Sequence, residues 1–416
     1  MSRFSCPFRH AKIDGRTVVS RRLGYLVPEF PSQTHIFFWR EIQALRKMGD
    51  QVFLLSTRRP SPLACRHDFA PAAIEQTHYL YPPVLSDLLT WTPAGLPRAL
   101  SYINGLEYRG IKTRIRHYGL LTSAIRLIRW ASQNRIEHVH GHSCADAAHV
   151  LALARRLGGP SYSLTLHGDL DVYGRDHRSK MRDAAFVCVV GDHLRRQVKE
   201  KVGLPDDRVI VTCMGVDTAE LAKLGNLRSY TPGQLHVATV ARLNPAKGHV
   251  HALAAVQRAH QLGLNIRYTI AGDGPHKEAI VAKVRELGLE RVVSLSGSLS
   301  DTEVYQLLSE ADAFLLPSTG LGEAWPVSVM EAMGAGLPVI ASVIGATPEM
   351  ITSGQDGILV PQKDEEALLK NIMLLGTDVE LRRRIGAAAQ ATARRRFDVS
   401  ITADTLRKAI GTALLS

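Results

Sequence analysis

Two short apolar runs, Ala313–Pro317 and Leu337–Ala341, bracket the segment Gly322-Glu323-Ala324-Trp325-Pro326-Val327-Ser328-Val329-Met330-Glu331-Ala332-Met333-Gly334-Ala335-Gly336. Apolar runs flanking a helical segment read as two buried parallel strands joined by a crossover helix. Pro326 suits the first helical turn, where a missing N–H costs nothing. The amides of Val327 and Ser328 then point out of the helix start unpaired, and such a terminus attracts anions. Glu323 and Glu331 border that place. A bare phosphate would be repelled by two carboxylates, whereas a phosphate flanked by hydroxyl-rich groups finds acceptors in them. The ligand this pattern fits is a nucleotide-sugar.

The same strand-loop-helix alternation runs through the rest of the chain, twice over. Arg22–Val27 is a strand, followed by a loop from Pro28 to His35, a helix from about His35 to Met48 and a strand over Gln51–Ser56. Residues 57–135 are the least regular, and 1–20 read as a mobile extension. Strands resume at Ile136–Gly141, Ser161–Leu166, Phe186–Val190 and Val209–Thr212, with a helix over Cys144–Leu157. Leu224–Gln234, rich in Gly and Pro, reads as a linker. His236–Ala241, Arg267–Ala271, Val292–Leu295 and Gly357–Val360 are the further strands of a second domain, whose first helix is His249–Leu262. The expected architecture is α/β, with two doubly wound Rossmann-like domains facing across a cleft. Their limits are 1–222 and 235–416, joined by a linker at 223–234, and the last helix is a candidate to cross back to the first domain.

Composition narrows the partners. The first 222 residues hold 31 of the 51 Lys and Arg but 20 of the 39 Asp and Glu, so nearly all of the net charge of +12 lies there. A basic half of this kind points to nucleic acid or an anionic membrane surface. No apolar run is long enough to span a bilayer, and Met1–Thr17 lacks the apolar core of a signal peptide. The five cysteines, Cys6, Cys65, Cys144, Cys188 and Cys213, show no metal-ligand spacing and are expected to be reduced thiols of a cytoplasmic protein.

The Glu-x7-Glu segment with its flanks resembles the signature of the retaining family-4 glycosyltransferases, which have the GT-B fold, and the resemblance extends from about Arg22 to about Phe397. It implies that Glu323 contacts the transferred sugar and that Glu331 holds the ribose hydroxyls. The Arg242-x4-Lys247-Gly248 loop is similar to the family's diphosphate clamp, placing two cations where the leaving group gains charge. Val327 and Ser328 complete the donor side. Gly272 permits a tight turn there, and Gly297–Leu299 is similar to the stretch that meets the base. His167, in Thr-Leu-His-Gly-Asp-Leu-Asp, resembles the histidine the family places over the donor sugar. It is not read as a nucleophile, because the leaving phosphate is thought to take the acceptor's proton.

On the acceptor side, Pro28-x-x-Pro31-Ser32-Gln33-Thr34 lacks the glycine pair common at this place. It looks like the variant in colanic-acid and amylovoran type exopolysaccharide enzymes; alternatively Ser32 or Thr34 is simply a helix N-cap. Met214-Gly215-Val216-Asp217 resembles the family's Asn-Gly-Val-Asp turn, with methionine in the asparagine position. Asp169 and Asp171 mimic an Asp-x-Asp metal motif in the wrong context, so Asp169 is expected to bond sugar or acceptor and no obligatory metal or other cofactor is expected.

The expected activity is retaining transfer of a hexose from UDP- or GDP-hexose to a lipid-linked oligosaccharide in exopolysaccharide or cell-surface glycan assembly. Rival readings are a GT-B sugar phosphorylase or nucleotide-sugar epimerase, or a basic nucleic-acid-binding protein. The last lacks any helix-turn-helix or aromatic RNP motif and leaves the glutamate pair unexplained, so no nucleic-acid partner is expected. From Tyr102 to Trp130 basic residues interleave with aromatics and aliphatics. Part of this stretch is a helix on the sheet, and the whole suits an anionic lipid surface at the inner face of the plasma membrane.

Overall fold

The computed structural model of the protein describes residues 9–13, 16–61, 64–82, 95–107, 110–225, 230–320 and 324–415. The chain divides into two compact units. The first comprises residues 1–64, 69–212 and 403–416, and the second 65–68 and 213–402.

Before the first sheet, β1 (Arg9–Ile13) and β2 (Arg16–Ser20) pair antiparallel, with Arg9 opposite Ser20. The extension expected over residues 1–20 is therefore a hairpin in its described part. The first unit's main sheet holds β3 (Arg22–Val27), β4 (Gln51–Ser56), β5 (Thr77–Tyr79), β6 (His138–His142), β7 (Ser161–Leu166), β8 (Val187–Val189) and β9 (Val209–Val211). All are parallel, in the order β5-β4-β3-β6-β7-β8-β9, so the winding direction reverses between β3 and β6. Helices cover both faces of such a sheet, and Leu23, Leu26, Leu55, Val139, Leu164 and Val187 are buried accordingly.

Residues 57–135 are more regular than their proline content implied. They contain β5 and the helices Ala70–Gln76, Leu96–Asn104 and Ile111–Gln133. Proline sits at the first turn of the first two, where no backbone donor is lost.

The second unit's sheet holds β10 (Gln234–Val240), β11 (Asn265–Ala271), β12 (Val293–Gly297), β13 (Ala313–Leu316), β14 (Val339–Ser342) and β15 (Ile358–Val360). The order β12-β11-β10-β13-β14-β15 is again parallel and reverses between β10 and β13. Its core unites Val237, Ile270, Leu315 and Ile340 with Leu253, Val256 and Ile372 from the covering helices.

The units part at Thr212, not after residue 222. The helix Thr218–Gly225 packs on the helices Val327–Gly334 and Val379–Arg396, and Leu221 is fully buried there. Val216 is bonded to the Phe397–Val399 segment through both backbone groups: its N–H reaches Phe397 O at 2.8 Å, and its carbonyl accepts from Val399 at 2.9 Å. Residues 226–229 of the expected linker lie outside the described residues. Residues 223–225 belong to the helix Thr218–Gly225, and the far end of the linker is clamped by buried Arg382, whose guanidinium donates to the carbonyls of Thr231 (3.1 Å) and Gln234 (3.0 Å). Residues 403–416 group with the first unit, where Arg407 pairs with the buried carboxylate of Asp50 at 2.9 Å.

Candidate functional site

In the second unit the expected donor residues gather at the carboxyl ends of the strands, on both sides of the β10/β13 reversal, the place where open α/β sheets bind ligands. Arg242 follows β10 and is exposed; its carbonyl accepts from the Asn244 amide (3.0 Å) and His249 Nε2 (3.3 Å), which fixes the loop beneath the side chain. A short 3-10 turn, Pro245–Lys247, brings Lys247 round to the start of the helix His249–Gln261. The loop is tied to the end of β13 by Thr319 N–H, which donates to Ala246 O at 2.7 Å.

Gly272, after β11, has φ of +143°, and a Cβ there would lie 1.9 Å from Ala241 O. Its amide donates to Gly297 O at 2.7 Å, so this glycine serves the turn rather than offering its N–H to a ligand. Leu299 is half-buried beyond β12, just before a capping box in which Ser300 and Glu303 close the start of the helix Asp301–Glu310.

Pro326 is the N-cap of the helix Val327–Gly334, one position earlier than expected. Val327 and Ser328 consequently occupy the first two helical positions, whose amides have no intrahelical acceptor. Glu331 lies one turn on and is buried. Trp325 Nε1 donates to Met330 Sδ at 3.1 Å and anchors the entry to this helix. Glu323, the expected sugar ligand, lies outside the described residues.

In the first unit the loop Pro28–Thr34 leaves β3 beside the β3/β6 reversal. Phe30 is buried, with its amide bonded to Ser56 Oγ at 3.0 Å, and Gln33 N–H donates to Ala64 O at 2.9 Å. The helix that follows is Ile36–Lys47; its N-cap is His35, with no side-chain cap. Neither Ser32 nor Thr34 is therefore the cap, since Ser32 contributes only its carbonyl, which accepts from His35 N–H. Asp169 accepts from Gln197 Nε2 at 2.6 Å and Asp171 from Lys201 Nζ at 2.7 Å. Each aspartate thus has its own partner.

His167 is the residue immediately after β7. Its amide donates to Tyr173 OH (3.0 Å) and its Nε2 lies 2.9 Å from His142 Nδ1. Its Nδ1 is buried without a hydrogen-bond partner among the described residues. Burial holds the imidazole neutral, pushing its pKa down to about 3.

Behind His167 lies a polar ladder that sequence reasoning missed. His138, His140 and His142 alternate along β6 and so share one face, opposite Ser161, Ser163 and Thr165 of β7. Ser161 Oγ donates to Glu137 O (3.1 Å) and therefore accepts from His138 Nδ1 (2.8 Å). His138 Nε2 then accepts from Ser163 (2.7 Å), Ser163 from His140 Nδ1 (2.7 Å), and His140 Nε2 from Thr165 (2.8 Å). The Nδ1–H tautomers of His138 and His140 follow from this polarity. The alternation in His-Val-His-Gly-His was the available signal.

Glu41, His140 and His142 bring ligand-type atoms within 4.8 Å of one another. Both nitrogens of His140 are already used in the ladder, so an ion there would break it. Beside the β6 and β7 ends a cavity of about 530 Å³ is lined by Thr113, Arg116, Asp146, Asp171, Tyr173 and Lys180. No motif marked it, because its walls come from separate elements. Cys65, Cys144, Cys188 and Cys213 are free thiols.

Residues 36–220 match the model described as Glycosyltransferase Family 4, and residues 231–392 match Glycosyl transferases group 1. The chain belongs to these glycosyltransferases. Among the relatives of this family-4 chain is the putative colanic acid biosynthesis glycosyltransferase WcaL of Escherichia coli. It is 34% identical over 177 residues, 42% of this chain and 43% of the relative. The amylovoran biosynthesis glycosyltransferase AmsK of Erwinia amylovora is 35% identical over 178 residues, again 42% and 43% of the two chains. The matched region thus spans less than half the length of either relative. Among solved structures, Anabaena Alr3699/HepE in complex with UDP has the same GT-B fold at a TM-score of 0.70. It is 16% identical, over 94% of this chain and all of the other.

Proposed function

We propose that this glycosyltransferase moves a hexose from a nucleotide-sugar, with retention at the anomeric carbon, to a lipid-linked glycan in exopolysaccharide assembly. The observation that carries the reading is the β10/β13 reversal. There the Arg242–Lys247 loop faces, across the switch point, the strand that leads to the helix start at Val327 and to buried Glu331. Two cations and a helix N-terminus stabilise the charge that builds on the diphosphate as the glycosidic bond breaks. Glu331 accepts from the ribose hydroxyls and Glu323 from the transferred sugar. The acceptor hydroxyl attacks the face the diphosphate leaves. Its proton passes to a phosphate oxygen, so no protein nucleophile is needed. His167 is assigned to the hydroxyls of the transferred sugar.

The relatives' names support an exopolysaccharide acceptor, and the UDP held by the Anabaena protein favours a uridine donor. The working surface is the cytoplasmic leaflet. Ile111 and Ile115, one turn apart, are 68% and 63% exposed beside exposed Lys112, Arg114 and Arg116. That suits shallow insertion between anionic headgroups. No helix among the described residues is long and apolar enough to cross a membrane. The test is thermal stabilisation by UDP-, GDP- and ADP-sugars, followed by transfer to a lipid-pyrophosphate glycan with the product's anomeric proton read by NMR. An inverted product, sugar release only with free phosphate, or an epimerised donor would each replace this reading.

A further inference from the structure

We propose that Glu41, acting through His142, sets whether the outer nitrogen of His167 donates or accepts a hydrogen bond. This rests on the assignment of His167 to the reacting sugar, but the relay itself is argued from the free protein.

The groups come from four elements. Tyr25 on β3 donates to Glu41 Oε1 at 2.7 Å from the helix Ile36–Lys47. The same oxygen lies 3.7 Å from His142 Nε2, at the end of β6. His142 Nδ1 is 2.9 Å from His167 Nε2 beyond β7. His142 Nε2 and His167 Nδ1 are both buried and have no hydrogen-bond partner among the described residues. The facing groups around Glu41 are Tyr25, His140, His142 and Cys188, and those around His142 are His35, His140 and His167. None of them is a fixed cation. Burial keeps His142 and His167 neutral, each with one N–H and one lone pair.

Two neutral rings sharing one hydrogen bond must have linked tautomers. With Glu41 ionised, His142 turns Nε2–H toward the carboxylate. Its Nδ1 then accepts from His167 Nε2–H, and His167 Nδ1 is a bare lone pair. With Glu41 protonated, the acid proton faces His142 Nε2, His142 Nδ1–H donates to His167 Nε2, and His167 Nδ1 carries hydrogen. The two states differ by one proton. Entering at His167 Nδ1, it displaces the Nε2 proton onto His142 Nδ1, and the His142 Nε2 proton passes to Glu41 Oε1. His167 therefore takes up a proton without becoming a buried cation, and Glu41 holds the net change. Burial pushes the Glu41 carboxyl up to about 7, tempered by the Tyr25 hydrogen bond, so both states are populated near neutrality.

The experiment is long-range proton–nitrogen NMR of the full-length protein labelled with 15N-histidine, with His167 assigned by loss of its signals in His167→Gln. Through a titration across neutral pH, His167 is expected to change from the Nδ1–H to the Nε2–H form as pH rises, without passing through imidazolium. Glu41→Gln is expected to abolish the step, because the amide oxygen accepts from His142 at every pH. Tyr25→Phe removes the bond that favours ionised Glu41 and is expected to move the step to higher pH. A His167 tautomer that stays constant in the wild type, or a step that persists unchanged in both variants, would overturn the relay. So would a stoichiometric metal ion on these residues. If the step is present but no nucleotide-sugar is turned over, the proposed function fails and the relay stands.

Discussion

Gly248 lies against the Pro317 carbonyl, so that a Cβ at position 248 would stand 1.8 Å from that oxygen, and its φ is +67°. This contact holds the loop after β10 against the end of β13, the two flanks of the candidate donor site. Gly248→Ala combines a left-handed backbone with overpacking, at a cost of ~2–4 kcal/mol. Urea denaturation should show that loss, and stabilisation by UDP should fall with it.

Lys247→Ala and Glu331→Gln are each expected to lower turnover ~10²-fold, the scale for losing one transition-state contact. Glu323→Gln is expected to do the same. The fold should survive, as judged by circular dichroism. Wild-type rates in all three variants would remove the donor assignment.

Transfer is expected to persist in excess EDTA. In the proposed donor site Arg242, Lys247 and the helix start would neutralise the diphosphate, while Asp169 and Asp171 are each held by a partner of their own. Activity abolished by chelator and restored by Mg²⁺ or Mn²⁺ would instead make those aspartates ligands.

Glu41 makes stability fall as pH rises. Its folded value, about 7, lies above the ordinary 4.5, so the folded state binds the extra proton between the two. This contribution is fully present below pH 4.5, declines above it and is lost once pH exceeds about 7. The span is worth ~3 kcal/mol. Glu41→Gln should flatten that part of a stability–pH profile measured by chemical denaturation.

Vesicle binding should depend on both charge and the exposed isoleucines. Ile111→Ser with Ile115→Ser is expected to weaken binding to anionic liposomes at least ~10-fold, given ~2 kcal/mol per buried isoleucine. Salt should weaken it further, at ~1 kcal/mol per cation screened near the surface. Equal flotation with neutral vesicles would leave these residues as a solvated face.

What the sequence determined is local. β3, β4 and β7 run over Arg22–Val27, Gln51–Ser56 and Ser161–Leu166 as their apolar runs demanded, because a buried strand writes its limits in consecutive residues. The Arg242–Lys247 loop and the Val327 helix were legible for the same reason: each is one loop or one helix start written in a contiguous stretch of sequence. The tertiary structure decided what depends on strand order. Glu41, His142 and His167 meet because β6 lies between β3 and β7, a neighbourhood that no local pattern specifies. The unit boundary moved to Thr212 because the helix Thr218–Gly225 buries Leu221 against helices far along the chain. Apolar periodicity shows that a residue is buried; only the packed fold shows which distant residue it is buried against.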